Sequence, residues 1–335
     1  MAKRLVLAAP FGSLQLEAYD PAPPGPTQIQ VKVLATSLNH LDWKRIKKNL
    51  FITSFPHVLG MDIVGHVVDP GESQRFQEGD LIVSIGTVGY SDGCSYQTHA
   101  LVQEDSCCKI KSDIPVLGLS TLPFSLCTAA CGLYLGLGLA KVTNRSNVAP
   151  THVLIWGANG GVGKLAVQLA KISGYSVVAV TSSNETTAQA QARGADYAFS
   201  RSDPDLITKI KSVAPDLRLA FDTVVTEETI SQIVDCCQKP ETVATAIKYT
   251  GAAIDGVQVN SVYSGEIMGK TMAGQPSAAG VELGRWLWGG LDKWLGNGQI
   301  TPLEFEVLNG LQKVQEGLDR LESGTVHKKL VTHVT

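Results

Sequence analysis

The chain lacks an excess of positive charge. Its 335 residues contain 28 Lys and Arg against 31 Asp and Glu, which gives a formal net charge of −3. Nucleic acids and anionic membrane surfaces are recognised mainly through clustered positive charge. We therefore expect no nucleic acid and no membrane among its partners, and we expect a small molecule as the ligand.

The cysteine spacings of zinc ribbons and secreted disulfide scaffolds are also missing. The seven cysteines include the adjacent pairs Cys107-Cys108 and Cys236-Cys237, but none of them form a C-x-x-C. Both kinds of site depend on paired, regular spacings. The N-terminal stretch "MAKRLVLAAPFGSLQLEAYD" contains only a short apolar segment, which disfavours a cleaved signal peptide. These features predict a cytoplasmic protein.

One long run of residues is free of charge, at positions 116–140. A transmembrane helix needs about 20 predominantly apolar residues, whereas Pro123 and several glycines, serines and threonines interrupt this run. The run therefore predicts a buried helix. Cys127 and Cys131 lie one helical turn apart in it, and we interpret them as small buried thiols.

The segment "WGANGGVGK" (156–164) resembles two different phosphate-binding loops. An NTP-binding P-loop needs a glycine at its first position and a Ser or Thr after its lysine, but Ala158 and Leu165 occupy those places. The glycine turn of a dinucleotide-binding βαβ unit fits better. "HVLIW" (152–156) predicts a strand before the turn, "KLAVQLAKISG" a helix after it, and "YSVVAVTSS" (175–183) a second strand.

The positions of the turn have separate predicted roles. Ala158 takes the first glycine position, Gly160 lets the backbone approach the pyrophosphate, and Gly163 allows the helix to pack closely on the strand. The helix N-terminus presents unpaired N–H groups and the positive end of its dipole to phosphate. The predicted cofactor-binding residues of the turn are Ala158, Asn159, Gly160, Gly161, Val162 and Gly163.

A carboxylate is missing at the end of the second strand, where NAD-binding units place an Asp or Glu for the ribose hydroxyls. Residues 181–184 read Thr-Ser-Ser-Asn instead, and hydroxyl groups can donate hydrogen bonds to a 2′-phosphate. We therefore predict NADPH as the cofactor, with Ser182 and Ser183 near that phosphate. Two alternatives stay open: the serines cap the next helix, or the nearby Glu185 selects NADH.

The pattern of predicted elements changes along the chain. Short β-rich runs separated by Pro, Gly and Asp fill residues 1–120. After them, helices alternate with strands, and two of the predicted strands lie at 219–224 and 241–249. We predict an α/β chain with a Rossmann doubly wound parallel sheet in residues 121–258. Residues 259–335 complete the sheet and return to the β-rich domain through a helix and a strand.

The chain resembles the medium-chain dehydrogenase/reductase superfamily over nearly its whole length. The resemblance is carried by the β-rich first part and by three segments, "HVLIWGANGGVGKLAVQLAK", "GADYAFS" and the terminal "GLDRLESGTVHKKLVTHV". Within the superfamily the chain is similar to the zinc-independent branch of quinone oxidoreductases and enoyl reductases, especially the trans-acting enoyl reductases that partner polyketide synthases. "LNHLDWK" (38–44) matches that branch's N-P-x-D-x-K segment, with His40 in place of proline. The resemblance implies a GroES-like catalytic domain built from both chain ends.

The resemblance also implies that no zinc is bound. Zinc-dependent relatives need a thiolate near the "LNHLDWK" segment and a histidine in a G-H-E motif, whereas this chain has Ser37 to Asn39 at the first place and Met61 at the second. Without a Lewis acid, alcohol dehydrogenase chemistry at zinc is disfavoured.

Hydride from NADPH adds readily to the β-carbon of an α,β-unsaturated carbonyl, and the protein must then supply donors to the enolate oxygen and a proton to the α-carbon. The resemblance places Asn39, His40 and Lys44 at the nicotinamide as candidate catalytic residues. Asp42 is expected to orient its neighbours. The alternative for Lys44 is a solvated lysine in the basic run "WKRIKK". The tyrosine that some enoyl reductases use as a proton donor is absent from the corresponding loop.

Four more residues complete the predicted site. By the same resemblance, Thr128 approaches the nicotinamide and Tyr197 approaches the 2′-phosphate. Tyr249 and Tyr263 lie near strand ends on the cofactor side, where we expect them to line the substrate pocket.

The predicted activity is NADPH-dependent reduction of the C=C bond of an enone or a carrier-bound enoyl group, in polyketide or other secondary-metabolite biosynthesis. A quinone or aldehyde reductase is one alternative. The other is a non-redox descendant that binds nucleotide and a partner protein or isomerises a double bond. The resemblance implies a polyketide synthase as the partner, and both a monomer and a homodimer stay open.

Overall fold

The computed structural model describes residues 1–141, 151–237 and 242–334. The chain forms two units, the first from Met1–Phe124 with Gly284–Thr335 and the second from Ser125–Leu283. The first unit is thus built from both ends of the chain, as the sequence predicts.

The strands of the described residues, in chain order, are β1 (Ala2–Leu7), β2 (Leu14–Tyr19), β3 (Gln28–Ser37), β4 (His57–Val58), β5 (Asp62–Asp69), β6 (Leu81–Ile85), β7 (His99–Gln103), β8 (Cys107–Lys109), β9 (His152–Trp156), β10 (Ser176–Thr181), β11 (Tyr197–Ser200), β12 (Leu219–Asp222), β13 (Thr242–Thr245), β14 (Gln258–Ser261), β15 (Phe305–Leu308) and β16 (Lys329–His333). The helices are α1 (His40–Lys48), α2 (Val116–Leu119), α3 (Pro123–Ala130), α4 (Gly161–Ile172), α5 (Asn184–Ala192), α6 (Leu206–Val213), α7 (Glu227–Cys236), α8 (Ala278–Gly296) and α9 (Val314–Glu322).

The first unit is organised around β3, in a seven-stranded sheet of order β15-β16-β3-β5-β6-β8 in which β7 also pairs with β3. Alternate residues of β3, namely Ile29, Val31 and Val33, are fully buried, because successive side chains of a strand point to opposite faces. β16 runs antiparallel to β3 with Val331 opposite Ser37. The C-terminal strand therefore returns to the first domain, as predicted. A small sheet of order β2-β1-β4 completes this unit.

The second unit contains a six-stranded parallel sheet of order β11-β10-β9-β12-β13-β14. This is the doubly wound arrangement, in which ligands bind where the strand order reverses, here between β9 and β12. Nearly all residues of β9 and β10 are buried, because such a sheet is covered on both faces. The strands predicted at 152–156, 175–183 and 219–224 are confirmed. Of the strand predicted at 241–249, Glu241 lies outside the described residues, and β13 ends at Thr245.

The second domain boundary differs from the predicted one. The sequence predicts that the second domain ends at residue 258, whereas the second unit continues to Leu283. The first residues beyond 258 belong to β14, which pairs in parallel with β13, Thr245 lying opposite Ser261. β14 has the sequence QVNS, which contains no apolar run. Its strand conformation depends on pairing at the sheet edge, which a hydrophobic pattern does not reveal.

The uncharged run at 116–140 forms α2, α3 and a π-helical segment at Cys131–Gly136. It is long and apolar enough to cross a membrane by composition alone, but 83% of its most apolar window is buried inside the folded chain. The prediction of a buried helix is therefore confirmed. Cys127 and Cys131 are buried as predicted, and burial raises the pKa of Cys131 to about 12.

Candidate functional site

The glycine turn lies between the end of β9 and the start of α4. Gly157, directly after β9, has a φ of +78°, a left-handed conformation that favours glycine. A Cβ atom on Gly163 would lie 2.2 Å from the carbonyl oxygen of Gly157, whereas a Cβ on Gly160 would lie 3.4 Å from it with nothing else close. Gly163 therefore permits close packing of α4 on the turn, and the space beside Gly160 is open.

No side chain among the described residues caps the N-terminus of α4. Its N-cap residue is Gly160, whereas Ser183 and Thr226 form capping boxes at α5 and α7. The first N–H groups of a helix need acceptors, and a phosphate is suited to this position because of the helix dipole. The uncapped N–H groups and the open space beside Gly160 therefore fit the pyrophosphate of a dinucleotide.

The loop after β12 holds the turn where the strand order reverses. The Thr223 hydroxyl lies 2.9 Å from the carbonyl oxygen of Trp156 and 3.2 Å from that of Gly157. The buried Asp222 carboxylate accepts the N–H of Val225 at 3.1 Å. Val225 has a φ of +65°, which a β-branched residue rarely adopts. Backbone strain of this kind clusters at ligand-binding sites.

Asn159 connects the turn to the end of β10. Its Oδ1 accepts the backbone N–H of Ser182 at 3.1 Å, and its Nδ2 donates to the Ser182 hydroxyl at 3.0 Å. The hydroxyl oxygen is thus an acceptor, and its own hydrogen is available to an anionic ligand. Ser183 is the N-cap of α5, and its N–H donates to the Thr186 hydroxyl at 3.2 Å. The capping alternative therefore describes Ser183, and Ser182 is the better candidate for the 2′-phosphate.

The register of β11 separates Tyr197 from the ligand-binding edge of the sheet. Ligands bind at the carboxyl ends of these strands, but Tyr197 lies opposite Val178, whereas Ser200 lies opposite Thr181 at the carboxyl end. Three residues of a strand span about 10 Å. Arg201 follows, with its backbone N–H bonded to the Thr181 carbonyl at 2.9 Å and its side chain exposed. We therefore expect Arg201, which sequence reasoning missed, to approach the 2′-phosphate instead of Tyr197.

The other predicted residues of the second unit have different surroundings. Thr128 is buried in α3. Tyr249 packs against the hydrophobic core of the unit, and its hydroxyl donates to the carbonyl of Ala252 at 3.3 Å, so it supports its own loop. Tyr263 follows β14 and leads into the helical turn Ser264–Met268. Tyr263 therefore lies at the end of a strand, and we still expect it to line the substrate pocket.

Asp62 is the centre of a polar cluster in the first unit. Its fully buried carboxylate accepts hydrogen bonds from the Ser37 hydroxyl, from Asn39 Nδ2 at 2.6 Å and from the Phe124 N–H at 2.7 Å. The Lys329 ammonium group lies 3.5 Å from this carboxylate and also donates to Asn39 Oδ1. A buried charge needs such partners. Sequence reasoning missed Lys329, which lies 290 positions from Asn39 in the chain.

His40 and Lys44 lie one helical turn apart on α1. The Trp43 indole N–H donates to His40 Nδ1 at 3.2 Å, so Nε2 carries the hydrogen in the neutral ring. Burial, and then the charges of Lys44 and Lys329, lower the pKa of His40. Burial and the nearby Lys48 lower the pKa of Lys44. His40 thus offers a neutral imidazole donor, and Lys44 offers an ammonium group that releases its proton more readily than usual.

Asp42 orients its neighbours, as the sequence predicts. Its Oδ2 accepts the backbone N–H of Asn39 and the Tyr96 hydroxyl, both at 2.9 Å. Burial raises the pKa of Asp42 to about 6. On the same helix, the buried Arg45 guanidinium lies 2.8 Å from His57 Nε2. Burial, together with the positive charge of Arg45, lowers the pKa of His57 to about 4. The start of α1 is therefore held by buried polar contacts.

The side chains at the zinc-ligand positions do not fit a zinc ion. Ser37 to Asn39 offers no thiolate, and Met61 is buried where a histidine would be needed. The neighbouring Asp62 carboxylate is already bonded to Ser37 and Asn39. In residues 1–141, 151–237 and 242–334, no three His, Cys, Asp or Glu residues form a group that could hold a metal ion.

We expect the purified protein to contain no stoichiometric zinc and to keep its activity after exhaustive dialysis against a strong chelator. The reason is the donor set at Ser37–Asn39 and Met61, which lacks the thiolate and imidazole ligands that zinc prefers. Elemental analysis by mass spectrometry, on protein expressed with added zinc, measures this. A tightly bound equivalent of zinc, lost together with activity, would overturn the metal-free mechanism.

Two family models match the chain. Residues 25–116 match the model described as Alcohol dehydrogenase GroES-like domain. Residues 161–265 match the model described as Zinc-binding dehydrogenase. The first match lies in the β-rich part of the first unit, and the second begins at α4 and extends past β14.

Relatives and solved structures match over almost the whole length. The trans-enoyl reductase himH of Aspergillus japonicus is 26% identical over 92% of this chain and 90% of its own. The trans-enoyl reductase grgB of a Penicillium species is 28% identical over 98% of this chain and 97% of its own. An alcohol dehydrogenase superfamily protein from Novosphingobium aromaticivorans has the same fold, with a TM-score of 0.82 and 20% identity over 100% of both chains. The chain therefore belongs to the medium-chain dehydrogenase/reductase superfamily of oxidoreductases.

Proposed function

We propose that the protein is an NADPH-dependent reductase of the C=C bond of α,β-unsaturated carbonyl compounds, of the enoyl reductase type. The observation that carries this proposal is the match, over nearly the whole chain, to proteins named trans-enoyl reductases. Two structural features support it. The uncapped glycine turn fits a dinucleotide, and Asn39, His40 and Lys44 provide donors suited to a carbonyl oxygen.

The chain's own residues account for the polar part of the reaction. A bound nicotinamide supplies the hydride that the β-carbon of the substrate accepts. Negative charge then develops on the carbonyl oxygen, where Asn39 Nδ2 and the Nε2–H of His40 are the proposed donors. Lys44, whose pKa is lowered by burial and by Lys48, is the proposed source of the proton for the α-carbon.

NADPH rather than NADH is the proposed cofactor. Ser182 has a hydroxyl hydrogen that Asn159 does not use. Arg201 is exposed directly after β11, with its backbone N–H bonded to the carbonyl of Thr181, the residue before Ser182. A hydroxyl and a guanidinium group both form strong hydrogen bonds to phosphate. Glu185, exposed in the first turn of α5, is the carboxylate that would favour NADH.

The proposed substrate is an enone or a carrier-bound enoyl group of polyketide or other secondary-metabolite biosynthesis. A polyketide synthase is the proposed partner, and the names of the relatives support both. We propose a cytoplasmic location. The seven cysteines support it, since all are buried thiols outside any disulfide and thiols persist in a reducing compartment.

A screen of NADPH oxidation tests the function. Purified protein is mixed with enones, enoyl thioesters, quinones and aldehydes, and each product mass is determined. A saturated carbonyl product supports the proposal. A hydroquinone or an alcohol would identify a quinone or aldehyde reductase instead. NADPH binding without oxidation by any substrate class would favour a non-redox descendant.

A further inference from the structure

Lys329, on the C-terminal strand, contacts the candidate catalytic residue Asn39. It is the first residue of β16, which pairs with β3. Only 11% of its side chain is exposed. Its ammonium group donates to Asn39 Oδ1 and lies 3.5 Å from Asp62 Oδ2. Burying a lysine costs free energy unless its charge has partners, and the Asp62 carboxylate and the Asn39 amide oxygen are the two that Lys329 has here.

The charges of Asp62 and Lys329 determine which way the Asn39 amide points. Its Nδ2 donates to Asp62 Oδ2 at 2.6 Å, while its Oδ1 accepts from Lys329. In the reversed orientation, the amide oxygen would face the carboxylate and the NH₂ group would face the ammonium, so both contacts would become repulsive. The two charges therefore select one orientation.

Asp62 itself cannot adapt to the loss of Lys329. The Ser37 hydroxyl and the Phe124 backbone N–H hold its carboxylate from two further directions, and the side chain is fully buried. Without the ammonium group, Asn39 Oδ1 would lose its charged donor, and the orientation of the amide would depend on the bond to Asp62 and the capping contact with the Asp42 backbone N–H. The second Nδ2 hydrogen has no acceptor among the residues that the structure describes, so it is free to bond to a ligand.

We propose that Lys329 is a positioning residue for the reaction. It holds the Asn39 amide so that the second Nδ2 hydrogen is presented to the carbonyl oxygen of the substrate. Lys329 itself transfers no proton and touches no reacting atom. This inference rests on the proposed function and adds to it a residue from the opposite end of the chain.

The kinetic test compares Lys329→Met with Lys328→Met, which removes the exposed lysine next to it. With the N-acetylcysteamine thioester of trans-2-butenoic acid as the substrate, Lys329→Met should lower kcat by about tenfold to a hundredfold, the effect of a misplaced catalytic group. Its Kd for NADPH should change by less than about twofold. Lys328→Met should match the wild type, and Lys329→Arg should recover part of the loss. An unchanged kcat for Lys329→Met would overturn the proposal.

A double-mutant cycle separates positioning from direct contact. Asn39→Ser removes the amide but keeps a residue favoured at the N-cap of α1. If Lys329 acts through Asn39, the double variant should be no slower than Asn39→Ser alone. Multiplying losses would mean that Lys329 acts independently, which contradicts the proposal.

A measurement without substrate distinguishes failure of this inference from failure of the proposed function. In ¹⁵N-labelled protein, the side-chain NH₂ signals that disappear in Asn39→Ser belong to Asn39. They should shift or broaden in Lys329→Met and stay in place in Lys328→Met, whether or not any enoyl substrate is reduced. Unchanged signals in Lys329→Met would overturn the inference. If Lys329→Met does not fold, Lys329→Gln, which removes the charge but keeps a donor, replaces it with the same expected shift.

Discussion

Replacing Lys44 with methionine should slow single-turnover reduction of an accepted enone by about a hundredfold to a thousandfold, the typical loss of one catalytic donor. Lys44 is half-buried on α1, its ammonium group lies 5.5 Å from the centre of the Trp43 ring, and its pKa is lowered by burial and by Lys48. A group with these properties gives up a proton more readily than a solvated lysine. Stopped-flow detection of NADPH oxidation measures the rate.

Lys47→Met is the matched control, because Lys47 is exposed on the same helix, where it forms a surface ion pair with Glu322. It should keep a near-normal rate, since losing a solvated lysine costs almost nothing. Asn39→Ser and His40→Ala test the two proposed oxygen donors in the same assay. If Lys44→Met and Asn39→Ser both keep near-normal rates while binding NADPH normally, the donor lies elsewhere, and Tyr263 is the next residue to test.

NADPH should bind at least about tenfold more tightly than NADH, an advantage of about 1.4 kcal/mol or more. Arg201→Ala should remove most of this preference, weakening NADPH binding by about tenfold to a hundredfold, the scale of a charge-assisted hydrogen bond. NADH affinity should hardly change, because NADH has no 2′-phosphate. Isothermal titration calorimetry with both cofactors measures the four dissociation constants.

The same measurement distinguishes Arg201 from Tyr197 as the residue that binds the 2′-phosphate. Tyr197→Phe should leave the preference intact, because Tyr197 lies opposite Val178 and not at the carboxyl end of the sheet. Lys209→Ala removes a positive charge from an exposed ion pair with Asp203 and controls for the overall charge. Equal affinities of the wild type for NADPH and NADH would refute the cofactor assignment. A loss of preference in Tyr197→Phe but not in Arg201→Ala would restore the role that the sequence suggested for Tyr197.

The fold was predictable where its signals are local. The strand before the glycine turn, the turn and the helix after it follow one another within residues 152–174, so a single segment specifies them by apolar spacing and glycine placement. The strand β14 was not predictable, because its four residues contain no apolar run and depend on pairing with β13. The second unit also continues past the predicted residue 258, to Leu283.

By itself, the sequence determined the superfamily, the place of the glycine turn and the polar segment Asn39–Lys44. Only the tertiary structure decided which side chains meet there. Lys329 contacts Asn39 across 290 positions of chain. The pairing of β11 with β10 sets where β11 ends, and for that reason we expect Arg201 rather than Tyr197 to approach the 2′-phosphate. Spacing along the chain specifies contacts within one helix or turn, whereas contacts between strands depend on register and packing that no short segment encodes.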